Sequence, residues 1–390
     1  MEIAFWVSLA IIAYTFVGYG LVLWLLVRVK RVLKKPVALP VPPDGQLPTC
    51  CLIVAAYNEE AEIERKIKNS LALAYPAHKL SILFVTDGSS DRTPDIVAAH
   101  PEVRLMHEPA RRGKIHAVHR AVAASDADIL VFTDANTVLN PDALLVLCKH
   151  YQNPRIGAVS GEKRIASGET ADASTAGEGF YWKYESTLKK WDAELHSLVG
   201  SAGELFSIRR SLYQPVPPNT VLDDFMISMN IAKQGYRVAY EPAAYAVETA
   251  SANVEEELKR KVRIAAGGIQ SIVWLWPLLL PFKRPLLTFQ YVSHRVLRWT
   301  VTPFLLVLLF VVSAVLAFRD AGWFYQLAFF GQVVFYALAC CGWYVAQREL
   351  KAKIVFIPYY FCVMNYAVVA GLFRYLKGNQ SVAWEKSRRK

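Results

Sequence analysis

The sequence predicts an α/β domain carried between α-helical membrane segments. Three observations predict it. Short β-rich runs alternate with helical segments between residues 50 and 160, the signature of βαβ units. Apolar stretches long enough to cross a bilayer are confined to the two ends of the chain. Lysine and arginine crowd against those stretches.

From the N-terminus, residues 3–27 form one apolar stretch with Trp6 and Trp24 near its ends, a length that suits a transmembrane helix. Glu2 precedes it and Arg28, Lys30, Arg31, Lys34 and Lys35 follow, the reverse of a cleaved signal peptide. The N-terminus is therefore expected outside, with the chain entering the cytoplasm near Arg28. Residues 1–28 make this first segment, and 29–48 a basic linker rich in proline. Next, 50–56 reads as a buried strand, 59–73 as a helix charged on one face, 80–86 as a strand and 90–100 as a helix. A short strand over 103–107, a helix over 114–125 and a strand over 128–133 continue the alternation. Asn140 is expected to cap a helix over 141–151, and 155–160 is a further strand. The sheet is expected to be mostly parallel and covered by helices. Residues 177–269 read as more helical and polar, and the α/β domain is taken to run over 49–270.

Residues 272–281 are apolar but too short to span and are broken by Pro277 and Pro281, so 271–298 is expected to lie in the interface. Within it, Ser293 to Trp299 reads as an anchor before a crossing. Residues 299–318 and 323–345 are long enough to cross, separated by a turn at Arg319 and Asp320. Residues 354–373 are also long enough, yet they hold Tyr359, Tyr360 and Asn365 and have basic residues on both sides. A re-entrant or interfacial helix is expected there, within a membrane region of 299–376. The basic tail, 377–390, is expected in the cytoplasm.

Composition narrows the classes of function. The net charge is +11, 54% of residues are hydrophobic, and mean hydropathy is positive. A nucleic-acid reader spreads its cations over one face. Here the strongest runs adjoin apolar segments, the last being Lys386, Arg388, Arg389 and Lys390. Membrane lipids, and not nucleic acid, are the expected partner of this charge. Cys50, Cys51, Cys148, Cys340, Cys341 and Cys362 lie in apolar runs without C-x-x-C spacing, as buried thiols do in a reducing compartment.

Four acidic motifs carry the chemistry. The first three stand at strand ends, the edge where an open α/β sheet binds ligands. Asp87, in the Asp87-Gly88-Ser89-Ser90-Asp91 loop, suits hydrogen bonding to a base or ribose, or is part of an ordinary turn. Glu59, after Tyr57 and Asn58, suits ligand binding or capping of the next helix. Asp134 and Asn136, if their backbone stays extended, point to one side and suit a hard cation, Mg or Mn, completed by substrate phosphates, or else cap a turn. Asp223 and Asp224 open a helical run and either favour its dipole or supply a general base raised by burial and the neighbouring charge. Arg260 and Arg263 share a helical face, ready to clamp a diphosphate or to pair with Glu255 to Glu257.

In this order and spacing, Tyr57-Asn58-Glu59, the Asp87 loop, Asp134-Ala135-Asn136 and Asp223-Asp224 resemble family 2 glycosyltransferases over about residues 50–270. The membrane layout resembles that family's polysaccharide synthases, which make poly-N-acetylglucosamine, chitin, hyaluronan and cellulose. The resemblance implies a GT-A, Rossmann-like cytoplasmic domain and inversion at the anomeric carbon in one displacement. It implies that Tyr57, Glu59, Asp87 and Lys114 hold the uridine end of a UDP-sugar, and that Asp134 with Asn136 holds Mg or Mn on the diphosphate. Asp224 is then the base that deprotonates the acceptor hydroxyl, with Asp223 beside it. Gly203 and Glu204 fall in the acceptor loop, and Arg263 faces the diphosphate with Arg260 close by. Trp384 matches a terminal Trp-x-x-x-Arg element of some synthases. Two residues depart from the pattern. Asn136 replaces the second metal-site acid, and Ile264 replaces the Trp of Gln-x-x-Arg-Trp that lines the acceptor channel of processive enzymes.

The leading expectation is a transferase that extends a polysaccharide, with UDP-N-acetylglucosamine and then UDP-glucose as donor. A single transfer to a lipid or lipid-linked glycan acceptor is the alternative, and an inactive membrane scaffold is the alternative of another class. So few crossings leave little material for a private channel, which makes room for an export partner or a homo-oligomer.

Overall fold

The computed structural model describes residues 1–35, 39–166, 173–249, 254–348 and 353–378; the expectations for Trp384 and the basic tail lie outside the described residues. Helix α1 (Glu2–Ala13) passes through a π turn (Tyr14–Gly18) into α2 (Tyr19–Leu33). The α/β region follows as β1 (Cys50–Ala56), α3 (Glu60–Leu71), β2 (Leu80–Asp87), α4 (Thr93–Ala98), β3 (Arg104–Glu108), α5 (Lys114–Ala123) and β4 (Ile129–Asp134). It continues as β5 (Thr137–Leu139), α6 (Ala143–Cys148), β6 (Ile156–Ile165), α7 (Ala173–Leu195), β7 (Leu205–Arg209), α8 (Asp223–Lys233) and β8 (Arg237–Glu248). The chain then runs through α9 (Val254–Trp274), α10 (Pro285–Tyr291), α11 (Leu297–Trp299), α12 (Val301–Phe318), α13 (Trp323–Gln347) and α14 (Lys353–Leu376). Two compact units result: residues 30–166 with 192–256, and residues 1–29 with 167–191 and 257–379.

The first unit is built on an eight-stranded sheet of order β3-β2-β1-β4-β7-β6-β8-β5. β1 lies inside it, every residue from Cys50 to Ala56 buried, as expected of a parallel strand covered on both faces. Leu52, Val54, Ile63, Ile67, Phe84, Ile129, Val131, Leu144 and Leu147 share one core. The sheet is mostly parallel, as expected, with two strands reversed. β2, β1 and β4 run parallel, β3 joins parallel to β2 and β8 parallel to β6, but β7 pairs antiparallel with both β4 and β6, and β5 with β8. β7 and β8 lie in the region read as helical. β7 is only five residues long, and Pro242 with the small residues around it breaks the pattern of β8. Asn140 is also corrected: the helix it was to cap starts at Ala143 behind Asp142. Asn140 instead accepts from the Tyr245 N–H at 2.8 Å and donates to the Ala243 carbonyl at 3.0 Å, tying its loop to β8.

In the second unit, Phe5 is buried with Leu309, Val312, Leu316 and Tyr325, while the Thr302 hydroxyl donates to Thr15 Oγ1 at 3.2 Å, so α1 and α12 run antiparallel. Among the described residues, four helices are long and apolar enough to cross a membrane: 2–33, 301–318, 323–347 and 354–376. In the segment expected to be re-entrant or interfacial, α14 continues unbroken through Pro358 beside α13. Gly342 allows that approach, since a Cβ there would strike the Val355 carbonyl. Cys340 and Cys341 are exposed on α13 and not buried as expected, and all six thiols are free. Glu185 of α7 is buried beneath Arg295 (2.9 Å), Arg298 (3.2 Å) and His294 (3.2 Å), so the segment read as an anchor is tied by a charge cluster.

Candidate active site

Strand register brings the acidic motifs together. Ala56 lies opposite Thr86, and Ala55 opposite Asp134, so Tyr57, Asp87 and Asp134 leave the sheet side by side at its carboxyl edge. β7 runs back along β4 with Leu205 opposite Thr133, which delivers Gly203 and Glu204 to the same edge. Helix α8 opens there with Asp223 and Asp224 in its first turn. Arg260 and Arg263 lie on α9, in the second unit, and Arg260 pairs with Glu257 at 3.8 Å.

Part of this edge forms a small cleft lined by Ala56, Tyr57, Asp87, Arg111, Gly113 and Lys114. The Arg111 guanidinium stacks 4.1 Å above the Tyr57 ring. Asp87 is buried, and its Oδ2 accepts the Arg112 N–H at 2.9 Å and the Gly113 N–H at 2.6 Å. Its Oδ1 is buried with no hydrogen-bond partner among the described residues. A buried acceptor left open at a cleft is a place for a ligand donor. Gly113 reaches φ 101° and Gly88 φ 67°; a Cβ on Gly88 would lie 2.5 Å from Arg111 Cβ, so a glycine there keeps this loop closed on its neighbour. Glu59 is the N-cap residue of α3, yet its side chain makes no capping bond. It is buried behind Thr93, whose hydroxyl accepts the Glu59 N–H at 2.8 Å.

Lys114, the first residue of α5, holds the acidic side together. Its Nζ lies 3.0 Å from Asp134 Oδ1 and 3.5 Å from Asp223 Oδ2. Burial works to lower its pKa, but Asp134, Asp223 and Asp224 together hold it above the ordinary lysine value. Asp224 moves the other way for a carboxylate: burial, and then the charge of Asp223, push it up to about 7, against the pull of Lys114. A Cβ on Gly203 would stand 3.2 Å from Asp224 Oδ2, so the loop backbone closes directly on this carboxylate.

Of the two alternatives for the backbone from Asp134 to Asn136, the structure has the turn. β4 ends at Asp134, Ala135 and Asn136 turn, and β5 starts at Thr137. The residues still fit a divalent cation. Asn136 Oδ1 is buried without a hydrogen-bond partner among the described residues, and Asp134 offers a carboxylate beside it. No group of three or more His, Cys, Asp or Glu forms a metal cage among the described residues, so phosphate oxygens must complete the shell.

Sequence reasoning missed three residues around this site. Lys66 is 1% exposed on the inner face of α3, and burial pushes its ammonium down to about 7 although Asp134 opposes this. Its signal was a lysine at helical spacing from Ile63, Ile67 and Ser70, on the buried face of α3. Lys163 is buried between Glu204, 2.7 Å away, and Glu248, tying the Gly203–Glu204 loop to β8. Tyr213 is half-buried, and its hydroxyl is pushed upward by burial and by Asp223. Nothing in the sequence pattern pointed to the last two.

Residues 51–216 match the family model described as Glycosyl transferase family 2. The chain carries a family 2 glycosyltransferase domain. The domain has the GT-A fold, in a membrane protein. Poly-beta-1,6-N-acetyl-D-glucosamine synthase of Staphylococcus aureus (strain COL) is 27% identical over 226 residues, 55% of this chain and 53% of that protein, so the chain spans about half the length of that relative. The Staphylococcus epidermidis synthase of the same name is 22% identical over 343 residues, 82% of each chain. The structure of mannosyltransferase PcManGT from Pyrobaculum calidifontis, in complex with GDP-Man and Mn2+, matches the glycosyltransferase chain with a TM-score of 0.70 and 26% identity, covering 96% of this chain and 99% of that one.

Proposed function

We propose that the chain is an inverting glycosyltransferase that moves a sugar from a UDP-sugar to a growing polysaccharide at the cytoplasmic face of the inner membrane. The observation that carries this reading is Asp224, a carboxyl raised to about 7 beside a lysine–carboxylate cluster at the binding edge of the sheet. The Asp224 carboxylate takes the acceptor hydroxyl proton as that oxygen attacks the anomeric carbon. The bond from that carbon to the phosphate oxygen breaks, and its electron pair leaves with the nucleoside diphosphate. Lys114 supplies a fixed positive charge near the diphosphate. Asp134 and Asn136 would hold Mg or Mn, which neutralises the leaving diphosphate. The resemblance adds Arg263, with Arg260, as diphosphate contacts.

Asp87 supports uridine as the base. Its Oδ2 is spent on two backbone N–H groups, which leaves one open acceptor, Oδ1. Uracil offers a single ring N–H, whereas guanine presents an N–H and an amino group side by side. Likeness to the poly-N-acetylglucosamine synthases supports N-acetylglucosamine over glucose. A second reading, a single transfer to a lipid or lipid-linked acceptor, is favoured by one observation: Ile264 stands where the resemblance places a channel-lining Trp.

The test is turnover by detergent-purified protein with Mn or Mg and separate UDP-sugars or GDP-mannose, recording nucleotide release and product size, with Asp224→Asn as control. Long polymer from one UDP-sugar, lost in the control, is the expected result. Short or lipid-extractable product would favour the second reading. Absence of release with every donor, membranes and partners added back, would sink both and leave a scaffold.

A further inference from the structure

Lys66 touches none of the groups assigned above to substrate, yet it joins two segments that the proposed reaction uses separately. It lies on the inner face of α3 with Ile63, Ile67 and Ser70. Its Nζ is 3.0 Å from Thr133 Oγ1, 2.9 Å from the Thr137 carbonyl oxygen and 3.3 Å from Thr137 Oγ1. These threonines bracket Asp134, Ala135 and Asn136. Their hydroxyl protons have acceptors elsewhere. Thr137 Oγ1 donates to the Asp134 carbonyl at 2.9 Å, closing the turn. Thr133 Oγ1 donates to the Glu204 carbonyl at 2.9 Å, reaching the loop whose Gly203 abuts Asp224. Both hydroxyl oxygens are thus left to accept from Nζ. Thr137 is 1% exposed and Thr133 3%, so no water competes for these bonds. Packing alone does not call for an amine here, since an unbranched apolar side chain would fill the same stripe without a polar atom to satisfy.

We infer that Lys66 is a positioning residue that, through Thr133 and Thr137, locks the Asp134–Asn136 turn to the Gly203–Glu204 loop, so that the diphosphate–metal ligands and the acceptor side keep one geometry. The inference rests on the function proposed above. Its consequence is coupling: loosening the hub weakens nucleotide binding and acceptor use together. A lysine that served stability alone would, when lost, lower the fraction of folded protein and scale kcat, while leaving Kd and KM where they were.

The experiment uses the full chain in detergent, wild type and the variants Lys66→Met, Thr137→Val and Thr137→Ser. Calorimetric titration with Mn2+ and whichever of UDP or GDP the wild type binds reports Kd, and turnover reports the acceptor KM. For Lys66→Met and Thr137→Val we expect about a tenfold rise in Kd and a rise in acceptor KM of similar size, as for loss of an outer-shell partner. Thr137→Ser, which keeps the hydroxyl, should restore both. Should Lys66→Met fail to fold, the two Thr137 variants decide the matter alone. Unchanged Kd and KM in the folded variants would overturn the inference while leaving the proposed function standing. A wild type that binds neither nucleotide with Mn2+ and transfers no sugar would remove the proposed function, and the inference with it.

Discussion

Asp224 shows how one side chain takes its chemistry from its surroundings. Its pKa of about 7 in the folded protein lies well above the ordinary carboxylate value. The sign of the linkage follows. Between pH 4 and pH 7, roughly, the native state keeps a proton that the unfolded chain releases, so stability falls as pH rises through this window. Asp224→Asn should therefore raise Tm at pH 8 and leave it unchanged near pH 4, while transfer falls by about a thousandfold or more. Thermal melts at the two pH values, run beside nucleotide-release assays, check both halves. The wild-type rate should also fall on the acid side with a midpoint near pH 7, as the base becomes protonated. Gly203 sets the space around this carboxylate. Gly203→Ala brings a methyl to 3.2 Å from Oδ2 and should cut kcat about tenfold with little change in Tm, since the φ of Gly203 is not positive. Two partial signals were legible in the chain at this scale, an acidic pair at a helix start and an amide in place of an acid at position 136. The protonation of Asp224 was not, because it depends on burial and on Asp223 and Lys114 arriving from different elements.

At the scale of elements, the site depends on the return of β7 along β4. That antiparallel pair carries the turn at Gly200, which has φ 87° and whose Cβ would collide with the Phe225 ring of α8. Gly200→Ala should therefore destabilise the glycosyltransferase domain by about 2–4 kcal/mol, from backbone strain and overpacking together. Chemical denaturation against wild type measures it, and an unchanged midpoint would contradict the close approach. The parallel half of the sheet was readable because buried parallel strands are continuous apolar runs separated by amphipathic helices. β7 and β8 were not, because a five-residue run and a strand interrupted by Pro242 carry too little periodicity to stand out. Asn140 likewise satisfied the rule for a helix cap, and tertiary hydrogen bonds to β8 won it instead.

For the whole molecule, the four long apolar helices among the described residues make membrane extraction the first expectation: the protein should stay in the pellet after carbonate washing and leave it with detergent. Metal dependence is a second. Chelation by EDTA should abolish transfer, and added Mn or Mg should restore it, because only Asp134 and Asn136 are offered at the turn and phosphate oxygens must share the ion. Recovery of full activity in EDTA without added metal would mean that Lys114 alone answers the diphosphate charge.

The sequence by itself determined the class of this protein. Hydrophobic runs at the ends, βαβ alternation between them and acidic motifs at strand ends are local patterns, and local patterns survive without coordinates. Only the tertiary structure decided which of those acids lie together. Register places Asp87 and Asp134 at one edge, an antiparallel strand brings Gly203 against Asp224, and a buried lysine beneath them ties the turn to the loop. Those relations join residues far apart in the chain, and a pKa or an open hydrogen-bond acceptor exists only once burial and neighbouring charge are fixed.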